Sequence, residues 1–142
     1  MISQNHMATY FKWTEGMSVG ESSIDSQHQR LLSQVNKIAD AISFGATSKE
    51  VNEAIDFFDK YTEEHFAYEE EYMKKHNYPD LEEHKREHQN FIKNSSTFKE
   101  ELKSGIDPRE LILDVETYVG QWWMKHIGKA DKKYHDFIDS VV

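Results

Sequence analysis

The sequence predicts an all-α protein: an antiparallel up-down-up-down four-helix bundle with an N-terminal arm. Three observations carry the prediction. Apolar residues recur at steps of three, four and seven through most of the chain. No alternating strand pattern persists over four or more residues. Breaks of a few residues divide the periodic stretches into four, and connections that short join antiparallel neighbours. The 142 residues suit one domain with a real core. Residues 1–7, MISQNHM, end in a second methionine, Met7, and are set aside as an appended remnant or disordered start. Residues 8–142 are expected to form a single domain.

The opening stretch ATYFKWTEGMSVGESS has no period. It is expected to form an ordered arm, since Tyr10, Phe11 and Trp13 would otherwise be exposed. The first helix runs from about Ile24 to Phe44. Ile24, Leu31, Val35, Ile38 and Ile42 form its stripe, Asp25 or Ser26 its cap, and Gly45 its end. The second runs from about Ser48, a candidate N-cap, to His76, with Val51, Ile55, Phe58, Thr62, Phe66 and Met73 inward. Asn77-Tyr78-Pro79-Asp80 breaks it. The third runs from about Asp80 to Lys103, with Leu81, Phe91, Ile92, Ser95, Phe98 and Leu102 inward. Asp107-Pro108 sets a cap residue before proline at a first helical position. The fourth helix follows to about His126, with a further piece to Ile138; Leu111, Val115, Tyr118, Trp122 and Ile127 line it.

Composition narrows the function. Net charge is −9, so phosphate backbones and anionic lipid are repelled; neither nucleic acid nor a membrane surface is an expected partner. There is no cysteine, which excludes disulfides, thiolate metal sites and cysteine nucleophiles. No apolar run approaches a membrane span, and the N-terminus lacks a signal pattern, so a cytoplasmic location is the default. Oligomeric state is left open, a monomer included.

The histidines carry the chemistry. His28 lies on the stripe of the first helix, four after Ile24 and three before Leu31. His65 lies on the second, with Glu69 at i+4 and therefore roughly 40° further round. His84 and His88 form an i, i+4 pair on the third, and His126 follows Trp122 by one turn on the fourth. Asp131 comes five residues after His126, roughly 140° round an ideal helix, so both face inward only across a bulge or break, for which Gly128 is the candidate. Five imidazoles and two carboxylates in one core offer almost only lone pairs. Each buried polar group without a partner costs about 1–3 kcal/mol, so a cation is required between the helices. His6, His76 and His135 lie outside this set: in the set-aside start, at a helix end, and in an exposed KKYHD run.

Imidazole with carboxylate suits iron, and also manganese, zinc or copper. Seven side chains are too many for one ion, so two are implied. If both are six-coordinate, five imidazoles, two bridging carboxylates and one bridging oxide or hydroxide fill every position but one. The vacancy falls on the ion with two histidines, where a small exogenous ligand can bind.

The pattern His28, His65-x3-Glu69, His84-x3-His88, His126-x4-Asp131 resembles the hemerythrin family in its bacterial branch. SVGESSIDSQHQRLL, HFAYEEEYM and WWMKHIGKAD, with Trp13, carry the likeness, which extends from Tyr10 to Phe137. The resemblance implies a four-helix bundle with two iron ions, oxo- or hydroxo-bridged, that binds O2 reversibly. It implies that His84, His88 and His126 hold a coordinatively full iron, that His28 and His65 hold the open one, and that Glu69 and Asp131 bridge. Reversibility implies a dry site, for which Leu32, Phe66, Trp122 and Ile127 are the candidate wall around O2. Storage, delivery and sensing are the uses such binding serves.

The alternative is a di-iron oxidoreductase with peroxidase- or oxidase-like activity. Ferritin-like di-iron enzymes use Glu-x-x-His pairs, and no histidine here has glutamate three residues before it. Five histidines to two carboxylates make a less anionic site, which disfavours high-valent iron. Binding is therefore expected over catalysis. The tyrosines Tyr61, Tyr68, Tyr72 and Tyr118 read as edge-of-core packing, and Glu70 and Glu71 as solvated.

Overall fold

The computed structural model describes residues 11–111 and 114–141. Among them are helices and turns and no strand. The long helices are α1 (Ser22–Ser43), α2 (Ser48–Lys75) and α3 (Leu81–Lys103). The fourth rod is composite. A 3-10 turn at Pro108–Leu111 leads to a π-helical turn at Val115–Gly120, α4 (Gln121–Lys125), a second π-helical turn at His126–Asp131, and α5 (Lys132–Ser140). α1 packs on α2, α2 on α3, and the first π turn back on α1, which closes the bundle. No described helix is long and apolar enough to cross a membrane.

The starts are set by side chains other than those expected. Glu21, not Asp25 or Ser26, caps α1 by accepting from the Ser23 and Ile24 N–H groups. Asp25 instead accepts from the Ser18 hydroxyl and the Val19 N–H, tying the arm to the helix it precedes. Thr47, not Ser48, caps α2 in a reciprocal capping box with Glu50.

The stripes of α1 and α2 are buried as predicted. On α3, Phe91, Ser95, Phe98 and Leu102 are buried, Leu81 is half-buried and Ile92 is exposed on the flank. On the fourth rod the inward set is Leu111, Val115, Val119, Trp123 and Ile127, while Tyr118 is 57% exposed and Trp122 half-buried. The cause is the π turn at Val115–Gly120. Its i→i+5 closure holds more residues per turn than an α-helix, so the inward positions after it move one place along the chain.

The described part of the arm is locked in place. The Phe11 N–H donates to Asn36 Oδ1 at 2.8 Å, and Asn36 Nδ2 donates back to the Phe11 carbonyl at 2.7 Å. The Phe11 ring lies where a Cβ on Gly120 would stand, so glycine is what lets the arm reach the bundle. Trp13 packs at the core edge. The expectations for Tyr10, His6 and residues 1–7 lie outside the described residues. His135 is half-buried, not exposed, with its ring against Gly20, where φ is +76°.

Candidate metal centre

Each rod delivers its ligand candidates by its own geometry. α1 supplies His28 from the middle of its stripe. Regular α2 supplies His65 and Glu69 one turn apart, and α3 supplies His84 and His88 likewise. The fourth rod supplies His126 and Asp131 as the two ends of a π turn. The i→i+5 closure makes residues five apart neighbours on one face, which is the break the spacing required. A Cβ on Gly128 would meet nothing within 4 Å, so the glycine is not there to make room. All seven residues are buried, none more than 4% exposed.

The seven converge, and the oxygens divide them. Glu69 Oε2 lies 3.2 Å from His28 Nε2 and 3.5 Å from His65 Nε2. Glu69 Oε1 lies 3.2, 3.0 and 3.8 Å from Nε2 of His84, His88 and His126. Asp131 repeats the division: Oδ2 is 3.1 Å from His28 Nε2, and Oδ1 is 2.9 and 3.0 Å from those of His84 and His126. Each carboxylate thus turns one oxygen to a two-histidine side and the other to a three-histidine side. Donor atoms about 3.0 Å apart are the spacing of neighbouring ligands bonded to one cation at about 2.1 Å.

Hydrogen bonding shows that these contacts lack something positive. His65 Nδ1 donates to Gln27 Oε1 and His88 Nδ1 donates to Glu70 Oε2, both at 2.7 Å. A neutral imidazole that gives its Nδ1–H away presents a bare lone pair at Nε2. The His88 lone pair therefore faces Glu69 Oε1 at 3.0 Å, and that of His65 faces Oε2. His65 Nε2, His28 Nδ1 and both Asp131 oxygens have no hydrogen-bond partner, although buried. The donor set fits a pair of cations, with Glu69 and Asp131 between them.

Protons take part of that role in the metal-free chain. Burial alone would lower the His28 pKa, but Asp131 and Glu69 outweigh it and raise it to about 9; the same balance raises His84 to about 10. His126 is raised by the same carboxylates against its burial. His65 is lowered because burial dominates. Glu69 is held well below its ordinary value, the surrounding imidazoles overcoming burial.

Four participants escaped the sequence reading. Gln27 and Glu70 orient His65 and His88, so Glu70 is not merely solvated. Tyr134, fully buried, donates its hydroxyl to Glu69 Oε2 at 3.0 Å. Burial and the carboxylates push its pKa well up, so it stays a donor. Trp123, also fully buried, lies 5.7 Å from His65 and 6.4 Å from His28 between ring centres, the position expected of Trp122. Trp122 stacks instead on His126, at 4.5 Å and 11°. Leu32, Phe66 and Ile127 are buried as expected, and Phe66 stacks on His88 at 3.8 Å. A cavity of about 270 Å³ opens on the three-histidine side, where His84 and His126 line it.

Comparison with known proteins agrees with this geometry. The family described as the hemerythrin HHE cation binding domain matches residues 19–138. A bacteriohemerythrin of Stenotrophomonas maltophilia is 32% identical over 124 residues, which is 87% of this chain and 78% of that protein. One of Methylococcus capsulatus is 32% identical over 125 residues, 86% of this chain and 92% of its own length. A crystal structure of wild-type hemerythrin aligns with a TM-score of 0.77 at 25% identity, covering 92% of this chain and 98% of that one. With the composite fourth rod, the split carboxylates and a family match over most of its length, the chain belongs to the hemerythrin family.

Proposed function

We propose that this chain binds dioxygen reversibly at a non-haem di-iron centre and acts in oxygen storage, delivery or sensing rather than as an enzyme. His28 and His65 hold one iron, His84, His88 and His126 the other, and Glu69 and Asp131 bridge them. Residues 8–142 work as one domain. The observation that carries the reading is the division of both carboxylates, each with one oxygen toward the histidine pair and one toward the triad. A single-ion site would gather the oxygens on one point.

When bound, the iron pair supplies the electrons and the open position that dioxygen needs. The chain's residues set the rest. Gln27 and Glu70 hold two imidazoles with Nε2 bare and aimed inward. Tyr134 holds Glu69 by its second lone pair and keeps that carboxylate from rotating out of its bridging pose. Leu32, Phe66, Trp123 and Ile127 exclude water from the centre. A dry wall with five neutral donors favours release of the intact ligand over turnover.

Iron-reconstituted protein is expected to carry two irons per chain and to show a visible charge-transfer band in air that vanishes on degassing and returns with O2. With a reductant it should show no sustained O2 consumption. His65→Ala should abolish the band. A normal band in that variant, or steady turnover in the wild type, overturns the reading.

A further inference from the structure

The cavity beside His84 and His126 points to a second role for this face. We propose that it is the route by which a divalent metal ion enters the centre from solvent, through the three-histidine side. The inference rests on the metal-centre reading above but not on dioxygen binding.

Four observations place the route. First, His84 and His126 are shared walls: their Nε2 atoms lie in the cluster, and their rings line the cavity. Second, their Nδ1 atoms are not pinned as those of His65 and His88 are. His65 and His88 each give Nδ1–H to a fixed acceptor at 2.7 Å, whereas Nδ1 of His84 and His126 has no hydrogen-bond partner among the described residues. The His126 side chain is only 3% exposed, and its Nδ1 faces Glu87, which lines the cavity. Third, Glu87 stands over it, with Oε2 3.8 Å from His126 Nδ1 and the carboxylate half exposed. Glu83, one turn earlier on α3, lines the same wall. Fourth, the two-histidine side is packed against the fully buried ring of Trp123, 5.7 Å from His65 and 6.4 Å from His28 between ring centres.

The chemistry is stepwise ligand exchange. A hydrated divalent ion loses little on meeting an exposed carboxylate such as Glu87, which accepts it with its water largely retained. An unpinned imidazole can then release its Nδ1 proton to solvent, as metal binding does, turn the freed lone pair to the ion and carry it inward. Lys125, Lys129 and Lys133 form the opposite wall and oppose a cation. Lys133 is tied to Asp80 at 3.4 Å, and the three lysines are exposed, so Glu87 is the cavity carboxylate that stands against the buried imidazole. The two walls therefore give the route a sign that can be tested from both directions.

The experiment mixes metal-free protein with Co2+ at low ionic strength and follows the cobalt absorption that appears on imidazole ligation. Glu87→Gln should slow uptake and Lys129→Gln should speed it, each by roughly two- to tenfold, the difference shrinking as salt screens it. Both should end at the wild-type cobalt content. Glu64→Gln, the same charge change at an exposed site on α2, should leave the rate unchanged. Equal rates for Glu87→Gln, Lys129→Gln and wild type overturn the route. So does slowing by Glu64→Gln equal to that by Glu87→Gln, which would mean only net charge matters. Failure of the wild type to take up cobalt at all would strike the metal-centre reading itself.

Discussion

α2 and the fourth rod do the same job by different backbones. Each brings one histidine and one carboxylate to the centre. α2 does it with His65 and Glu69, four apart on an unbroken α-helix that opens in a capping box. The fourth rod does it with His126 and Asp131, five apart on a π turn, and a second π turn precedes it at Val115–Gly120. The difference teaches that ligand spacing and helix type are one decision. A carboxylate at i+5 can bridge only where the helix widens, and the earlier widening moves the inward places beside it from Tyr118 and Trp122 to Val119 and Trp123. The consequence is visible in the carboxylates: Glu69 approaches Nε2 of all five histidines, whereas Asp131 approaches those of His28, His84 and His126.

The largest effect should come from breaking that inequality. Glu69→Ala is expected to lose both irons. Asp131→Ala should lose much of its iron yet keep more than Glu69→Ala, as metal analysis after gel filtration would show. Equal losses would mean the two rods are equivalent. Next, Gln27→Ala and Glu70→Ala release the ring of His65 and of His88 respectively. Each should weaken metal binding by about 10- to 100-fold, read by competition with a chelator, and the two should act on different sites of a two-step titration.

The sequence made the regular part of this comparison legible. His65 with Glu69, and His84 with His88, stand at the i+4 step that places side chains on one face. Apolar stripes on α1 and α2 agreed with the buried set for the same reason. The π turn at His126–Asp131 could be inferred as a conflict, since two inward groups stood at a step an α-helix cannot serve. The turn at Val115–Gly120 carries no such conflict, so the period points to Trp122 and Tyr118 where the structure buries Trp123 and Val119. Gln27 and Glu70 were invisible because half-buried polar residues beside a stripe carry no period, and Glu70 sits in an acidic run that reads as solvated. Tyr134 was within reach: Ile127, Asp131, Tyr134 and Ile138 step by four, three and four, all buried.

Acidity separates the metal-free from the loaded protein. His28 and His84 have folded-state pKa values raised to about 9 and about 10 from 6.5. A raised pKa stabilises the fold fully below the unfolded value, and that contribution is lost as pH rises through the folded one. The metal-free protein should therefore lose thermal stability between pH 6.5 and 10, measured by melting with chelator present. Loaded protein should not follow, because metal replaces those protons, so the stabilisation on loading should grow with pH.

The smallest effect sharpens what holds the second π turn. Gly128→Ala adds a Cβ that meets nothing. Alanine in a helix is favoured over glycine by about 1 kcal/mol, so stability to urea should rise by no more than that, with iron content unchanged. Lost iron would assign the turn to glycine rather than to the pull of His126 and Asp131 on a shared centre.

The most direct test of the central claim is anomalous scattering at the iron edge from crystals of the reconstituted protein. Two iron peaks are predicted, one against His28 and His65 and one against His84, His88 and His126, with Glu69 and Asp131 spanning the gap. A single peak, or iron bound outside these seven side chains, would contradict the account.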